Sequence, residues 1–420
     1  MKLSSILPRL LAGAALFVSV LSCSENLDSS GACPILCPQI GGNVQNVTIE
    51  AVVIDTTVQS LSGLGTEPGL LLANRGDTLD TRVVVRFDSL PDKFTPAGDT
   101  ARAITAVDSA FILFKLDTLS IKGAEPVTIE AYDVDTTAND TSTAAVLALF
   151  RPDRFISSQT FARAELTDSL KYFISNSFLL AKIQSNGNVR IGLRATGIAS
   201  SQMRFYSTEG LIAPQLSFRA TPDTATKRIL VSEFSKTPAA EPIVAANLTD
   251  YTIIAKAPPS APPGVLAAAG LPPRRVYFLF DIPSAIIDSS TVVRATLLLN
   301  QLSNNSLDPT DTIRVVPQVV LAGRVVKDPQ KASQIIASIS ADTLTLRPGD
   351  AGETNVELAH AFTLWRTQQP DTLPRAIVLK AVNEGIAPLE LWFSSSEDPV
   401  AALRPRLRIS YTSKVPLGLP

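Results

Sequence analysis

The chain is poor in the residues from which most catalytic and metal centres are built. Of 420 residues only one is a histidine, His360, and the three cysteines (Cys23, Cys33 and Cys37) all precede residue 40. With no cysteine beyond that point and no second histidine, Cys-His catalysis, a cysteine zinc site and a disulfide lose their parts there, and Ser-His catalysis would rest on His360 alone. Gly-rich phosphate loops and nucleophile elbows are missing as well. A carboxylate pair for glycoside hydrolysis assembles in space and escapes a sequence reading. Most aspartates here, however, sit in Asp-Thr and Asp-Ser pairs at turns, where the side chain bonds nearby backbone amides. The formal net charge is only -2, so there is no field to gather nucleic acid, and none is expected as a partner. Aromatic residues, at 6%, are few for a dedicated sugar binder. These shortages predict a protein that binds or scaffolds and is not an enzyme.

What is present begins with an export signal. Lys2 and Arg9 precede an apolar run from Leu10 to Leu21, too short for a bilayer span and suited to the core of a secretory signal. Val20-Leu21-Ser22-Cys23 closes it and resembles the lipobox of bacterial lipoproteins, with Val20 a variant of the commoner leucine. The expectation is a signal peptide over residues 1–22 and lipidation at Cys23, with several acyl chains because one alone anchors marginally. Ser24, where aspartate would favour inner-membrane retention, points to the outer membrane. Residues 23–46 read as a flexible tether. Within it Cys33 and Cys37 suit a small disulfide loop in an oxidising compartment, the alternative being free or externally paired thiols.

The rest of the chain, with 45% hydrophobic and 18% charged residues, has ample core material, and 30 prolines point to short strands joined by loops. Compared with itself it shows an ordered repeat. Val83 to Asp88 matches Val276 to Asp281, Ala110 to Lys115 matches Ala295 to Asn300, and Arg190 to Ala195 matches Ala376 to Ala381. Met203 to Ser207 matches Leu389 to Phe393, Ser207-Thr208-Glu209 matches Ser395-Ser396-Glu397, and Pro214 to Phe218 matches Pro405 to Ile409. These segments alternate with period two, as half-buried strands do. Leu166, Leu170 and Phe173, like Leu358, Phe362 and Trp365, fall at i, i+4 and i+7, the spacing of one helix face. His360 lies off that stripe and is expected at the surface. The prediction is an all-β chain: two tandem β-sandwich (jelly-roll-like) domains over 47–222 and 227–413, each with one short amphipathic helix. The Pro- and Ala-rich stretch Ala255 to Pro273 reads as an extended loop and a candidate contact arm.

Two sets of side chains have ligand character. Asp133, Asp135, Asn139 and Asp140 place oxygens at alternating positions after a strand, a pattern that suits a structural calcium ion, the alternative being a solvated acidic turn. Tyr206 and Trp392 fall at matching positions on the less apolar face of a repeated strand and are candidate stacking platforms for sugar rings, the alternative being coverage by the helix of each copy.

The landmarks together resemble the DNRLRE-type domain, a secreted β-sandwich module related to carbohydrate-binding families. Arg86-Phe87-Asp88 with Leu90-Pro91, and Leu279-Phe280-Asp281 with Pro283, match its strand and turn. Phe173 and Trp365 match its helix aromatic, and Leu216-Phe218 and Leu407-Tyr411 its closing strand. The module's name motif is absent, and Leu279 stands where the first copy has Arg86. The resemblance covers nearly all of 47–413. It implies secretion, surface display and, in some members, polysaccharide binding, so the expected partners are a membrane through the lipid anchor and a polysaccharide or envelope protein.

Overall fold

A computed structural model describes residues 44–413 apart from 61–63, 96–99, 124, 137–141, 198–199, 222–227, 237–244, 246–247, 340–342 and 368–372. Cys23, Cys33, Cys37, Asn139 and Asp140 lie outside the described residues. Along the chain come β1 (Gln45–Ile49), β2 (Val52–Gln59), β3 (Gly69–Asn74), β4 (Asp80–Phe87), the short β5 (Lys93–Phe94) and β6 (Arg102–Ala103), the long β7 (Ala106–Lys122) and β8 (Val127–Asp133). Helix α1 (Thr143–Leu147), β9 (Phe155–Phe161), β10 (Ser169–Phe173), α2 (Asn176–Gln184), β11 (Val189–Thr196), β12 (Ser201–Tyr206) and β13 (Gln215–Thr221) follow. The second half runs β14 (Ile229–Ser232), β15 (Asp250–Lys256), β16 (Val265–Ala269), β17 (Arg274–Phe280), α3 (Ser284–Ile287), β18 (Ser290–Leu302), β19 (Ile313–Val320), α4 (Pro329–Ala332), β20 (Ile336–Ser338) and β21 (Leu344–Leu346). It closes with β22 (Gly352–Glu357), α5 (Ala359–Thr367), β23 (Ala376–Ala381), β24 (Glu390–Ser394) and β25 (Arg406–Ser413).

The architecture is all-β, with antiparallel strands layered into two sandwich-like units. Unit I has the order β14-β13-β7-β12-β3-β4-β11-β8-β9, with β10 on β7 and β15 on β4. Unit II repeats it as β1-β25-β18-β24-β16-β17-β23-β19-β20, with β22 on β18 and β2 on β17. Period-two alternation drives the layering. Val83, Val85 and Phe87 of β4 meet Ile112, Phe114 and Phe218 in one core, and Val276, Phe278 and Phe280 of β17 meet Leu297, Leu299 and Ile409 in the other. Each fully buried side chain of this kind stabilises by about 1.5–3 kcal/mol.

The sequence repeat and the spatial unit do not coincide. β1 and β2, which open the first repeat, pair with β25 and β17 of the second. β14 and β15, which open the second repeat, pair with β13 and β4 of the first. The two copies exchange their leading strands, so unit I is continuous from β3 to β15 and is inserted between β2 and β16 of unit II. Residues 257–264, within the expected contact arm, are the crossing from β15 back to β16, and strands occupy much of the remainder of that stretch. The two units also touch directly: Arg75 forks onto Asp308, and Lys122 meets Asp311 at 2.6 Å. Leu71 and Ala73 of unit I cluster there with Leu271.

One helix expectation is met and one is corrected. In the second copy Leu358 is buried just ahead of α5, and Phe362 and Trp365 are buried on it, with His360 exposed. In the first copy residues 169–173 form strand β10, with Leu170 and Tyr172 inward and Phe173 half exposed. The spacing of Leu166, Leu170 and Phe173 hid a period-two pattern carried by Tyr172, whose hydroxyl donates to the Ile129 carbonyl at 3.1 Å. The helix comes later as α2, capped by Ser175 and burying Leu179 and Ile183. β10 therefore corresponds to β22, and α2 to α5.

Candidate functional site

The exchange is fastened by a pair of matching clamps. Asp55 on β2 accepts the backbone N–H and the hydroxyl of Ser396, both at 2.6 Å. Asp250 on β15 accepts the same two groups of Thr208, at 2.7 and 2.9 Å. Two residues further on, Thr57 Oγ1 accepts from Ala267 N (2.8 Å) and Thr252 Oγ1 from Leu71 N (3.0 Å). The repeated Ser-Thr-Glu and Ser-Ser-Glu motifs thus receive an aspartate from the other repeat. The Asp-x-Thr spacing in Asp55-Thr56-Thr57 and Asp250-Tyr251-Thr252 was legible in the sequence but carries no meaning until strand partners are known.

In unit I this clamp sits in an acidic cluster. Asp250 is fully buried and Glu233 nearly so, and Thr208 Oγ1 lies 2.7 Å from Glu233 Oε2. Burial first, and then the neighbouring Asp250 charge, push the Glu233 carboxyl well above the usual range. Burial likewise raises Asp250 and Glu67, and burial with the Asp250 charge pushes Glu209 up to about 7. Asp250 and Glu233 meet on Thr208, and Glu67 Oε2 takes the backbone N–H groups of Gly65 and Thr66.

Asp133 and Asp135 both grip the Lys182 ammonium from α2, at 3.1 Å each, and Arg154 donates to the Asp135 carbonyl at 3.0 Å. Lys182 and Arg154, the latter 4.0 Å from Asp133, supply two positive charges beside the two carboxylates. Among the described residues no group of three acidic, histidine or cysteine side chains could hold a metal ion. Tyr206 and Trp392 are each half-buried. Strand register shows that they are not counterparts: Phe205 faces Leu116 and Leu70, as Phe393 faces Gln301 and Leu266, so Trp392 takes the position of Arg204. The Trp392 ring is fixed by its Nε1–H, which donates to Glu390 (2.6 Å), itself paired with Arg274 at 2.6 Å.

A large concavity lies elsewhere, on the outer face of β2 and β17 in unit II. It measures about 960 Å³ and is lined by Val53, Ile54, Tyr277, Leu279, Phe280 and Val326, with Arg324, Lys327, Arg366 and Arg375 against Asp281 and Asp288. The two copies differ in side-chain size on this face. In unit I the same face holds Arg86, Arg190 and Tyr251, all buried; Arg86 pairs with Asp88 at 2.8 Å and Arg190 donates to the Tyr251 hydroxyl. Register places Leu279, Ala376 and Thr56 at those positions in unit II. Unit I also lays α1 and Phe150 over this face, packing Val146 beside Val84 and Tyr251. Unit II is left with an open groove. Sequence comparison noticed Leu279 in place of Arg86, but the loss of Arg190 and Tyr251 as a group needed the fold.

No protein-family model matches the chain, and no curated protein matches it. Among solved structures, the C-terminal domain of the Streptococcus pyogenes antigen I/II-family protein AspA aligns over 89% of this chain and 92% of its own, at 10% identity and a TM-score of 0.18. The tandem CBM22 domains of Paenibacillus barcinonensis Xyn10C align over 89% and 92%, at 9% identity and a TM-score of 0.12. Similarities of that size carry no argument about this protein.

Proposed function

We propose that this chain is a non-catalytic lipoprotein of the bacterial envelope, held at the outer membrane through Cys23, that binds or scaffolds another envelope component. The observation that carries the reading is the reciprocal strand exchange. Each unit is completed by strands from the other half of the chain, so neither half folds away from its neighbour, and the Arg75–Asp308 and Lys122–Asp311 pairs join the two units. That suits holding a surface at a fixed distance and orientation. The buried carboxyls support it too: Asp250 and Glu233 each bond Thr208 within the clamp that joins the strands. The test is incubation of the mature protein with isolated envelope polysaccharides and proteins. Retention of a component without turnover is expected, and release of soluble cleavage products would refute the reading.

A second reading, glycan binding on unit II, is favoured by the fixed Trp392 ring, whose polar edge is tied to Glu390 beside Arg274. A ring held in one orientation offers a sugar its face without further loss of rotamer freedom. Polysaccharide pull-down with wild type and Trp392→Ala distinguishes the two, since a scaffold without a glycan site is unaffected by loss of the ring.

A further inference from the structure

The groove of unit II, together with the turn beside it, has the chemistry of a membrane-contact surface. Val325 stands 89% exposed between Arg324 and Val326, with Lys327 following. Across the groove a register shift between Leu279 and Phe280 bulges β2, and Val53 and Ile54 there are 57% and 39% exposed. Aliphatic side chains turned to water on both rims, with four cations and the carboxylates of Asp281 and Asp288 between them, are poorly explained as part of a fold that buries its other outward face in unit I. Lys327 and Arg366 are exposed and make no ion pair among the described residues, whereas Arg375 is held by the Ile282 carbonyl (2.7 Å) and Asp288 (3.6 Å). The combination of protruding aliphatics and unpaired cations matches a bilayer interface, where acyl chains take the first and lipid phosphates the second.

We propose that this face of unit II docks on the phosphate-bearing headgroups of anionic phospholipids in the bilayer to which Cys23 tethers the chain, an inference that rests on the lipid-anchor reading. Its position supports it. The exchange makes unit II, not unit I, the first body reached from the anchor, and the Val53 bulge comes shortly after β1. Residues 24–43 separate Cys23 from the described chain, and 20 residues reach at most about 70 Å. The groove therefore stays within range of that surface. Docking would fix the tilt of the whole two-unit body, since the exchange couples unit I to unit II. The groove lacks an exposed aromatic ring on which a nucleobase could stack, as Tyr277 and Phe280 are each 4% exposed.

The experiment uses the mature chain with Cys23→Ser, which carries no acyl group, floated with vesicles of phosphatidylglycerol and phosphatidylethanolamine or of phosphatidylcholine alone. Flotation with the anionic vesicles only, weakened by salt, is expected. Lys327→Gln with Arg366→Gln should reduce it about 25-fold, each cation near an anionic surface contributing roughly fivefold. Val325→Asp should reduce it as well, and exposure of all three side chains leaves folding intact, checked by an unchanged melting curve. Equal partition into both vesicle types, or flotation indifferent to these variants, would overturn the proposal. So would capture by dextran sulfate without vesicle binding, which would make the groove a site for soluble polyanions. Mass spectrometry of the Cys23 peptide from the native lipoprotein separates the two layers. Acylation without vesicle binding leaves the anchor and removes the contact face, while an unmodified Cys23 removes both.

Discussion

Replacing Asp55 by alanine should destabilise the half of the sequence in which Asp55 does not lie. Its carboxylate accepts two short hydrogen bonds from Ser396, 341 residues away. Hydrogen bonds to a charged group contribute about 1.5–3 kcal/mol each. Ser396 is partly exposed, so water recovers some of that, and the net loss works out at about 2–3 kcal/mol. For a unit of this size 1 kcal/mol moves the midpoint by about 2–4 °C, so the shift should be roughly 5–10 °C. The assay is built in: both tryptophans, Trp365 and Trp392, lie in unit II, and their fluorescence follows that unit alone. Native-state hydrogen exchange then locates the loosening, expected in β17, β24 and β25. The matching variant Asp250→Ala should instead loosen β4 and β12 in unit I. If Asp55→Ala leaves the tryptophan midpoint in place while amides of β3 to β13 exchange faster, the strand exchange is wrong.

Further expectations concern the two bodies separately. Because burial raises the folded-state pKa of Glu233, Asp250, Glu67 and Glu209, their contribution is complete below the unfolded values, 4.5 for the glutamates and 3.8 for the aspartate, and is lost as pH rises, for Glu209 through about 7. Unit I should therefore show slower amide exchange, corrected for intrinsic rates, at pH 5 than at pH 8, and Glu233→Gln should flatten that difference; an unchanged slope would discount the cluster. Arg275 is a buried fork on Glu384, with 2.7 Å contacts from Nε and Nη2, and Arg275→Met leaves that carboxylate with Lys380 at 3.1 Å, so the cost should fall below the roughly 3–5 kcal/mol of a fully uncompensated charge, measurable by denaturant titration. A β-carbon on Gly192 would lie 2.4 Å from Phe150 Cζ and 2.8 Å from Val134 Cγ1, so Gly192→Ala should cost unit I about 1–3 kcal/mol by overpacking. Its register counterpart in unit II, Val378, carries a side chain because no ring lies above it in the same way.

Much of this protein was determined by the sequence alone, and for a local reason. Alternation with period two decides which side chains turn inward whatever the neighbouring strand is, so the all-β class, the duplication and the inward sets on β4, β7, β17 and β18 could be read from single segments. The α5 stripe of Phe362 and Trp365 was legible in the same way. Where two periods fit one set of residues, as for Leu166, Leu170 and Phe173, the sequence could not choose, and pairing of β10 with β7 chose strand. Strand partnership itself is a property of pairs far apart in the chain. A hydrogen-bonded edge accepts any suitably alternating strand, so the same sequence is compatible with two self-contained sandwiches or with exchanged ones. Only the tertiary structure assigned β1 and β2 to unit II, gave Asp55 and Asp250 their partners, and aligned Trp392 with Arg204. The groove follows the same logic: Val53 and Ile54, Leu279, and Arg324 and Arg375 are unremarkable one at a time, and they line one opening only because folding brings their separate segments together.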